Sequence, residues 1–301
     1  MKVLIIGSRG FIGSSAVDYF KKKGYETWGC GISEFSDEPY YFQVERFYPD
    51  YNNIFKLEKF DLCINASGAP GVSFSMEHPH DDFRMNVSNA YALLNAIRIY
   101  NPTCKFINLS SAAVYGNPVC LPIKETDQLN PLSPYGYHKM MAEQLVEEFH
   151  KVFQLRTCSF RIFSAYGPGL KKQLFWDIYQ KSLKSIDNSI QLFGTGDETR
   201  DFVYIDDVLN AVFAVWQEDK FDGDVFNLAS GKETTIREVA TLFLGELDSA
   251  IKLTFNNIQK PGDPLYWRAD ISKLKKINFK TATSLKEGLN LYSQWIQQEK
   301  K

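Results

Sequence analysis

The sequence has few of the residues and patterns from which metal, redox, nucleic-acid and membrane functions are built. It contains 4 histidines, and none of its 5 cysteines forms a C-x-x-C pair, so we expect no bound metal and no redox dithiol. Unpaired thiols are typical of a reducing compartment, which predicts a cytoplasmic protein. The net charge is -2 without a block of basic residues, and no apolar run is long enough to cross a bilayer. We therefore expect neither a nucleic-acid nor a membrane partner.

The first half of the chain alternates short apolar segments with helical patterns. Strands separated by single helices indicate βαβ units, which build a parallel sheet. The predicted strands are 3–6, 26–30, 61–65, 105–109 and 157–163, and the predicted helices are 11–23, 89–100 and 137–152.

The regular alternation of predicted strands and helices ends after residues 166–169, where glycines and prolines become more frequent. Sheet segments are still predicted at 201–205 and 224–228, and Thr235 and Ser284 each begin a capping box ahead of a helix. The sequence thus predicts an α/β fold, with a Rossmann-type doubly wound parallel sheet and a smaller C-terminal substrate domain. We assign 1–165 and about 201–230 to the dinucleotide-binding domain, and 166–200 and 231–301 to the substrate domain.

A glycine-rich loop lies between the first predicted strand and the first predicted helix. Its pattern is G-x-x-G-x-x-G, and its residues are Gly7, Ser8, Arg9, Gly10, Phe11, Ile12 and Gly13. Such a loop lets the backbone approach a pyrophosphate, and the unpaired N–H groups at the helix start then face the phosphates. The strand before the loop and the amphipathic helix after it are the context that this motif requires. We predict that these residues bind a dinucleotide cofactor.

The second predicted strand leaves the choice between NAD and NADP open. A Rossmann site for NAD usually has an acidic residue at the end of this strand, where it holds the ribose 2′-hydroxyl. No acid lies near Cys30 or Gly31, and Arg9 in the glycine loop would suit a 2′-phosphate. The cofactor is therefore predicted to be NAD or NADP.

Tyr135 and Lys139 are spaced so that a helix would place both side chains on one face. Pro131 and Pro134 come just before them, which places the tyrosine near the start of that helix. Ser111 follows a predicted strand, at the carboxyl edge where open α/β sheets bind ligands. We therefore predict a Ser-Tyr-Lys catalytic set.

The chemistry of hydride transfer explains this choice of residues. When a hydride moves at a carbon that carries an oxygen, a proton must move at that oxygen. A free tyrosine has a pKa of about 10 and is a poor base at neutral pH. A nearby ammonium group, here Lys139, and an oxidised nicotinamide would favour the phenolate of Tyr135. Ser111 would hydrogen-bond the reacting oxygen, with Ser110 as the alternative for that role.

With these motifs the chain resembles the extended short-chain dehydrogenase/reductase family, and within it the nucleotide-sugar epimerases and dehydratases typified by UDP-galactose 4-epimerase. The resemblance covers nearly the whole chain. It is carried by the glycine loop, Met85-Asn86-Val87, the stretch from Ser110 to Gly116, Tyr135 to Lys139, Arg161 to Gly169, Thr199 to Val203, and Lys260-Pro261-Gly262-Asp263.

The resemblance implies a role for several residues. Ser111 would be the active-site hydroxyl, Tyr135 the base and Lys139 its partner. Asn86 and Ala66 would lie at the cofactor, which Tyr135 and Lys139 would also contact.

A nucleotide-diphosphate sugar is the implied substrate. Arg200 would grip its diphosphate, and Lys260 stands where many members of the family have a second arginine. A lysine there supplies the charge but not the bidentate fork. Ser164 would be a substrate contact at a position where members often have asparagine.

One departure from the family bears on the reaction. The 4,6-dehydratases of the family have Asp-Glu directly after the active-site hydroxyl residue, whereas this chain has Ala112 and Ala113. Elimination of water by that route is therefore not expected.

The resemblance leads to a primary functional hypothesis and two alternatives. The first is a 4-epimerase, in which the sugar C4 is transiently oxidised and then reduced by the bound dinucleotide. The alternatives are an NADPH-dependent reductase of a 4-keto nucleotide sugar, and a non-catalytic dinucleotide-binding regulator on the same fold. Family members are often homodimers through helices such as 89–100 and 137–152, and a monomer fits the pattern equally well.

Overall fold

The computed structural model describes residues 1–34, 39–69, 71–247, 250–259 and 262–299. Its strands are β1 (Lys2–Ile6), β2 (Glu26–Gly31), β3 (Tyr41–Gln43), β4 (Leu62–Asn65), β5 (Lys105–Ser111), β6 (Thr157–Ile162), β7 (Ser164–Tyr166), β8 (Ser189–Leu192), β9 (Thr199–Arg200), β10 (Phe202–Tyr204), β11 (Asp222–Leu228), β12 (Thr234–Thr235) and β13 (Lys252–Phe255).

The α-helices are α1 (Phe11–Lys22), α2 (Tyr51–Leu57), α3 (Val72–Glu77), α4 (Pro79–Phe83), α5 (Asn89–Tyr100), α6 (Pro134–Phe153), α7 (Gln173–Lys184), α8 (Ile205–Gln217), α9 (Ile236–Glu246), α10 (Ser272–Lys275) and α11 (Leu285–Gln298). A π-helical turn, Arg84–Ser88, joins α4 to α5, and a 3₁₀ turn, Ala112–Val114, follows β5.

The central sheet has seven parallel strands in the order β11-β6-β5-β4-β1-β2-β3. The order reverses between β1 and β4, which is the topological switch point of a doubly wound fold and the place where such sheets bind ligands. The predicted α/β fold with a Rossmann-type parallel sheet is confirmed. Because all seven strands run in one direction, the glycine loop after β1 and Ser111 at the end of β5 lie at the same edge.

Apolar side chains cover both faces of the sheet. On one face, Leu4 and Phe106 pack under α2, α5 and α6. On the other face, Val3 and Ile107 belong to a cluster that includes α1 and α8 and continues without interruption to Phe243 and Tyr292 in the C-terminal helices. The two predicted domains therefore share one core, and the boundary between them stays a prediction.

The predicted elements differ from the observed ones mainly at their ends. Helix α6 starts at Pro134 instead of residue 137, because Ser133 caps it by accepting a hydrogen bond from the Gly136 N–H. The predicted segment 201–205 forms β10, which pairs with β7 outside the central sheet. Helices α3 and α4 were not predicted, because 6 and 5 residues are too few to show a helical period. In the described part of the chain no helix is long and apolar enough to cross a membrane.

Candidate active site

The glycine loop is folded so tightly that side chains are excluded at two of its glycines. Gly7 has φ +77°, and a Cβ on it would lie 2.8 Å from the Ala66 carbonyl oxygen. A Cβ on Gly13 would lie only 2.1 Å from the Gly7 carbonyl oxygen. Helix α1 is therefore packed directly on the loop with its N-terminus, capped by Gly10, at the sheet edge. This is the cradle that a dinucleotide pyrophosphate needs, and the structure brings Ala66 into it.

Cys30 and Gly31, the described residues at the end of β2 where a cofactor's adenosine ribose would bind, provide no acidic side chain. A Cβ on Gly31 would lie 2.9 Å from the Tyr41 hydroxyl, so the ring of Tyr41 occupies the space beside this glycine. The Arg9 guanidinium lies over the same ring, 5.2 Å from its centroid. The backbone N–H groups of Gly7 and Ser8 donate to the Cys30 carbonyl, which ties the loop to β2. The described part of this corner thus presents a cation, Arg9, where an NAD site would have a carboxylate.

Tyr135 occupies the first turn of α6 as predicted, directly after the N-terminal Pro134. The helix start can come close to the segment that follows β5 only because Gly136 has no side chain. A Cβ there would lie 2.6 Å from the Ala113 carbonyl oxygen. The hydroxyl of Tyr135 lies near the side chain of Ser111, which lowers the Tyr135 pKa. Ser111 also accepts a hydrogen bond from the Ala113 N–H at 3.2 Å, which fixes its rotamer.

Lys139 lies one helical turn after Tyr135 and is 7% exposed. Its Nζ donates to the Leu109 carbonyl oxygen at 3.1 Å and lies 5.8 Å from the centroid of the Tyr135 ring. Gly68, which follows β4, packs against both Lys139 and Asn86. A Cβ on Gly68 would lie 3.2 Å from the Lys139 Nζ and 2.5 Å from the Asn86 Oδ1. The three predicted catalytic side chains and Asn86 are therefore gathered at one point of the sheet edge.

Burial controls the protonation of this set. It raises the pKa of Tyr135 to about 12, although the Ser111 side chain acts in the opposite direction. Burial also lowers the pKa of Lys139 to about 8, against the attraction of Asp82 and Glu143. Desolvation is thus the largest effect on both groups, and the predicted phenolate, which was expected from Lys139 together with an oxidised nicotinamide, stays a prediction. A further positive charge is needed to make Tyr135 a base.

The residues present fit a dinucleotide. In the glycine loop, a Cβ on Gly7 or Gly13 would clash with backbone atoms, so the backbone stays open to a pyrophosphate. The Asn86 Oδ1 is a buried acceptor without a hydrogen-bond partner among the described residues. Asn86 lies within reach of Lys139 through Gly68, at the end of the crevice that a nicotinamide ribose would enter. In the described residues no three His, Cys, Asp or Glu side chains form a group that could hold a metal ion.

The predicted substrate residues lie beyond the catalytic set, next to the C-terminal segments. Ser164 donates its backbone N–H to the Asp201 carbonyl, which places it beside Arg200. The Arg200 guanidinium lies 5.4 Å from the centroid of the Trp267 ring, and Trp267 donates its indole N–H to the Gly116 carbonyl. Burial lowers the pKa of Arg200. Lys260 lies outside the described residues.

Two features of the site have no signal in the sequence patterns. Asp82 on α4 is paired with His138 on α6, and Tyr41 covers Gly31. Both are contacts between segments far apart in the chain, and neither follows from a period or a spacing. A histidine directly before Lys139 was the only visible hint of the first.

The glycine cradle, the Ser-Tyr-Lys set and the switch point are the features of one known group of proteins. The model of the NAD-dependent epimerase/dehydratase family matches residues 3–229. The chain belongs to this family. Among its relatives is an uncharacterized UDP-glucose epimerase of Bacillus subtilis, which is 29% identical over 310 residues that cover 96% of each chain.

Solved structures of this family have the same fold. The UDP-glucuronic acid 4-epimerase of Bacillus cereus, in complex with UDP-glucuronic acid and NAD, is 25% identical with a TM-score of 0.90 and covers 99% of this chain and 100% of its own. The UDP-glucose 4-epimerase of Thermotoga maritima, with UDP-glucose, is also 25% identical with a TM-score of 0.90, and each chain is covered completely. The cofactor class of the family is thus a nicotinamide dinucleotide.

Proposed function

We propose that this protein is a nucleotide-sugar 4-epimerase that acts on a UDP-sugar. The observation that carries the proposal is the grouping of Ser111, Tyr135 and Lys139, in which the Lys139 Nζ lies 5.8 Å from the centroid of the Tyr135 ring and Ser111 lowers the Tyr135 pKa. This set lies at the carboxyl edge of the sheet, beside the glycine cradle. The named activities of the Bacillus cereus and Thermotoga maritima proteins support the same reaction and a UDP-sugar substrate.

In the proposed mechanism Ser111 holds the C4 hydroxyl of the sugar and Tyr135 takes its proton. When bound, the oxidised nicotinamide supplies a hydride acceptor and a positive charge. Burial raises the pKa of Tyr135 to about 12, and the positive charge of the nicotinamide would lower that pKa so that Tyr135 can act as a base. Lys139 adds a second positive charge. Tyr135 returns the proton to the same oxygen when C4 is reduced again on the opposite face.

The substrate diphosphate would lie against Arg200. Its guanidinium rests on the face of Trp267, 5.4 Å from the ring centroid, which restricts its orientation. Two backbone carbonyls, of Thr199 and Leu265, accept from one nitrogen of this group. An anion would bind the remaining donors.

The decisive experiment is the conversion of UDP-glucose, UDP-glucuronic acid and UDP-N-acetylglucosamine by the purified protein without added cofactor. We expect one of them to give its C4 epimer, detected by NMR of the anomeric proton, and mass spectrometry of the denatured protein to show retained dinucleotide. Tyr135→Phe is the control and should give no product. If no sugar is epimerised although dinucleotide is retained, the epimerase proposal is wrong.

A second candidate is an NADPH-dependent reductase of a 4-keto nucleotide sugar. The observation in its favour is the Arg9 guanidinium over Tyr41, beside a Gly31 that offers no carboxylate. An arginine near the adenosine ribose accommodates a 2′-phosphate. This candidate predicts consumption of one NADPH for each 4-keto sugar reduced, whereas the epimerase returns its cofactor unchanged.

A further inference from the structure

A buried acid–imidazole pair stands directly behind the catalytic helix. Asp82 Oδ2 lies 2.6 Å from His138 Nδ1. The side chain of Asp82 is fully buried and that of His138 is 12% exposed. His138 occupies the position just before Lys139 on α6, and the proposed mechanism uses neither partner. Burial of a carboxylate costs free energy unless an opposite charge or hydrogen bonds compensate it, and here the partner is His138.

The backbone carbonyl of residue 82 also accepts a hydrogen bond from the Asn86 side chain. The Asn86 Nδ2 donates to it at 3.2 Å, across the π-helical turn Arg84–Ser88. The π turn widens the helix so that Asn86 faces Gly68 and Lys139. One residue thus joins α4, the π turn and α6 at the point where the cofactor and the catalytic side chains meet.

Burial and three charged groups act on the Lys139 ammonium. Asp82 and Glu143 raise its pKa, whereas burial and the Lys172 ammonium at the start of α7 lower it. Glu143 forms a salt bridge with Arg161, which donates hydrogen bonds to both of its carboxylate oxygens. Asp82 makes the larger of the two favourable contributions. It also acts on Tyr135, whose pKa it raises by like-charge repulsion.

We propose that Asp82, fixed by His138, is a positioning residue of the Ser-Tyr-Lys site: its side chain is the buried counter-charge of Lys139. The part that concerns catalysis rests on the proposed function. The part that concerns charge does not, because it predicts the protonation of Lys139 in the protein as purified.

The expected size of the effect makes the proposal measurable. Loss of an opposite charge at close range shifts a pKa by about one unit. With a pKa of about 8, roughly three quarters of the Lys139 side chains are charged at pH 7.5. After a drop of about one unit, only about a quarter would remain charged.

The first experiment follows the titration of Lys139 by NMR of ¹³Cε-labelled lysine, with the resonance assigned by Lys139→Met. In Asp82→Asn, which keeps the shape of the side chain, we expect the midpoint to fall by about one unit. His150→Gln is the matched control, because His150 lies at the other end of α6 and bonds only the Leu155 carbonyl among the described residues. If Asp82→Asn is folded and its Lys139 titrates at the pH found in the natural protein, the proposal is overturned.

Two further variants separate charge from general loosening of the helix. Asp82→Ala also removes the charge and serves if the amide variant does not fold; the same downward shift is expected. His138→Gln keeps the carboxylate, and Lys139 should then titrate no lower than in the natural protein. An equal fall in His138→Gln and Asp82→Asn would mean that packing and not charge controls the lysine, which contradicts the proposal.

The second experiment is the pH dependence of kcat/KM for epimerisation. Since Asp82 raises the pKa of both Tyr135 and Lys139, Asp82→Asn should move both limbs of the profile to lower pH by about one unit. A lower rate at every pH with unmoved limbs would assign Asp82 a structural role only. Absence of epimerase activity in the natural protein would count against the proposed function, while the NMR titration would still decide the role of Asp82.

Discussion

The hydroxyl of Tyr135 and the side chain of Ser111 face each other across the gap between the start of α6 and the end of β5, and Ser111 lowers the pKa of Tyr135. Two glycine-dependent contacts make this approach possible. Gly136 lets the helix touch the Ala113 carbonyl, and Gly68 leaves room for Asn86 and Lys139. The geometry of the proposed catalytic set therefore depends on glycines without side chains as much as on Ser111, Tyr135 and Lys139 themselves.

Removal of the phenol oxygen should abolish turnover without unfolding the protein. We expect Tyr135→Phe to lower kcat about a thousandfold, which is the contribution of a positioned acid–base group. Tyr137→Phe is the matched control, since Tyr137 lies on the same helix with 44% of its surface exposed. Steady-state kinetics and thermal unfolding of both variants check this. Full activity in Tyr135→Phe would show that another group moves the proton.

A methyl group on Gly13 should damage both stability and cofactor binding. Its Cβ would lie 2.1 Å from the Gly7 carbonyl oxygen, so α1 and the loop must separate. We expect Gly13→Ala to lose about 1–3 kcal/mol of unfolding free energy and most of its retained dinucleotide. Gly245→Ala is the control: it lies in α9 with no atom near its would-be Cβ and should gain up to about 1 kcal/mol. Urea unfolding and mass spectrometry of released cofactor measure the two effects.

The sequence predicted the features that local patterns encode. The glycine loop, the Tyr135–Lys139 spacing and the helix caps Thr235 and Ser284 all stand where they were expected. Each of them depends on residues a few positions apart, whose backbone geometry is fixed by short-range sterics and hydrogen bonds.

The features that could not be predicted are contacts between distant segments. The Asp82–His138 pair joins two helices, and Tyr41 covers Gly31 only because β3 pairs with β2. The rise in the Tyr135 pKa on burial also has no signal in the sequence, since desolvation depends on how closely the surrounding elements pack. None of these quantities is contained in the spacing of a motif.

Lys139 should make the folded protein less stable at neutral pH than a variant without the charge. Burial lowers its pKa from 10.5 to about 8, so the folded state binds fewer protons than the unfolded chain between these values. The free energy of unfolding then rises with pH across this window. The full cost of burying the charged Lys139 ammonium, about 3 kcal/mol, is present below pH 8. Lys139→Met should be the more stable protein at pH 7, with a gap that narrows toward pH 10. Urea unfolding at both pH values measures it, and a gap independent of pH would contradict the assignment.

The corner formed by Arg9, Gly31 and Tyr41 should set the choice between NAD and NADP. Arg9→Gln removes the guanidinium and should weaken NADP binding about tenfold or more while NAD binding changes little. The opposite design adds the missing carboxylate. Because a Cβ on Gly31 would lie 2.9 Å from the Tyr41 hydroxyl but 3.8 Å from its ring carbon, Gly31→Asp should be made together with Tyr41→Phe.

We expect the Gly31→Asp/Tyr41→Phe double variant to favour NAD, because an aspartate accepts a hydrogen bond from a ribose 2′-hydroxyl and repels a 2′-phosphate. Tyr41→Phe alone is the control and should keep the preference of the natural protein. Calorimetric titration of dinucleotide-free protein with NAD and NADP gives the two dissociation constants. If Arg9→Gln lowers the affinity for both cofactors equally, Arg9 contacts the pyrophosphate that they share, and the case for the NADPH-dependent reductase loses its support.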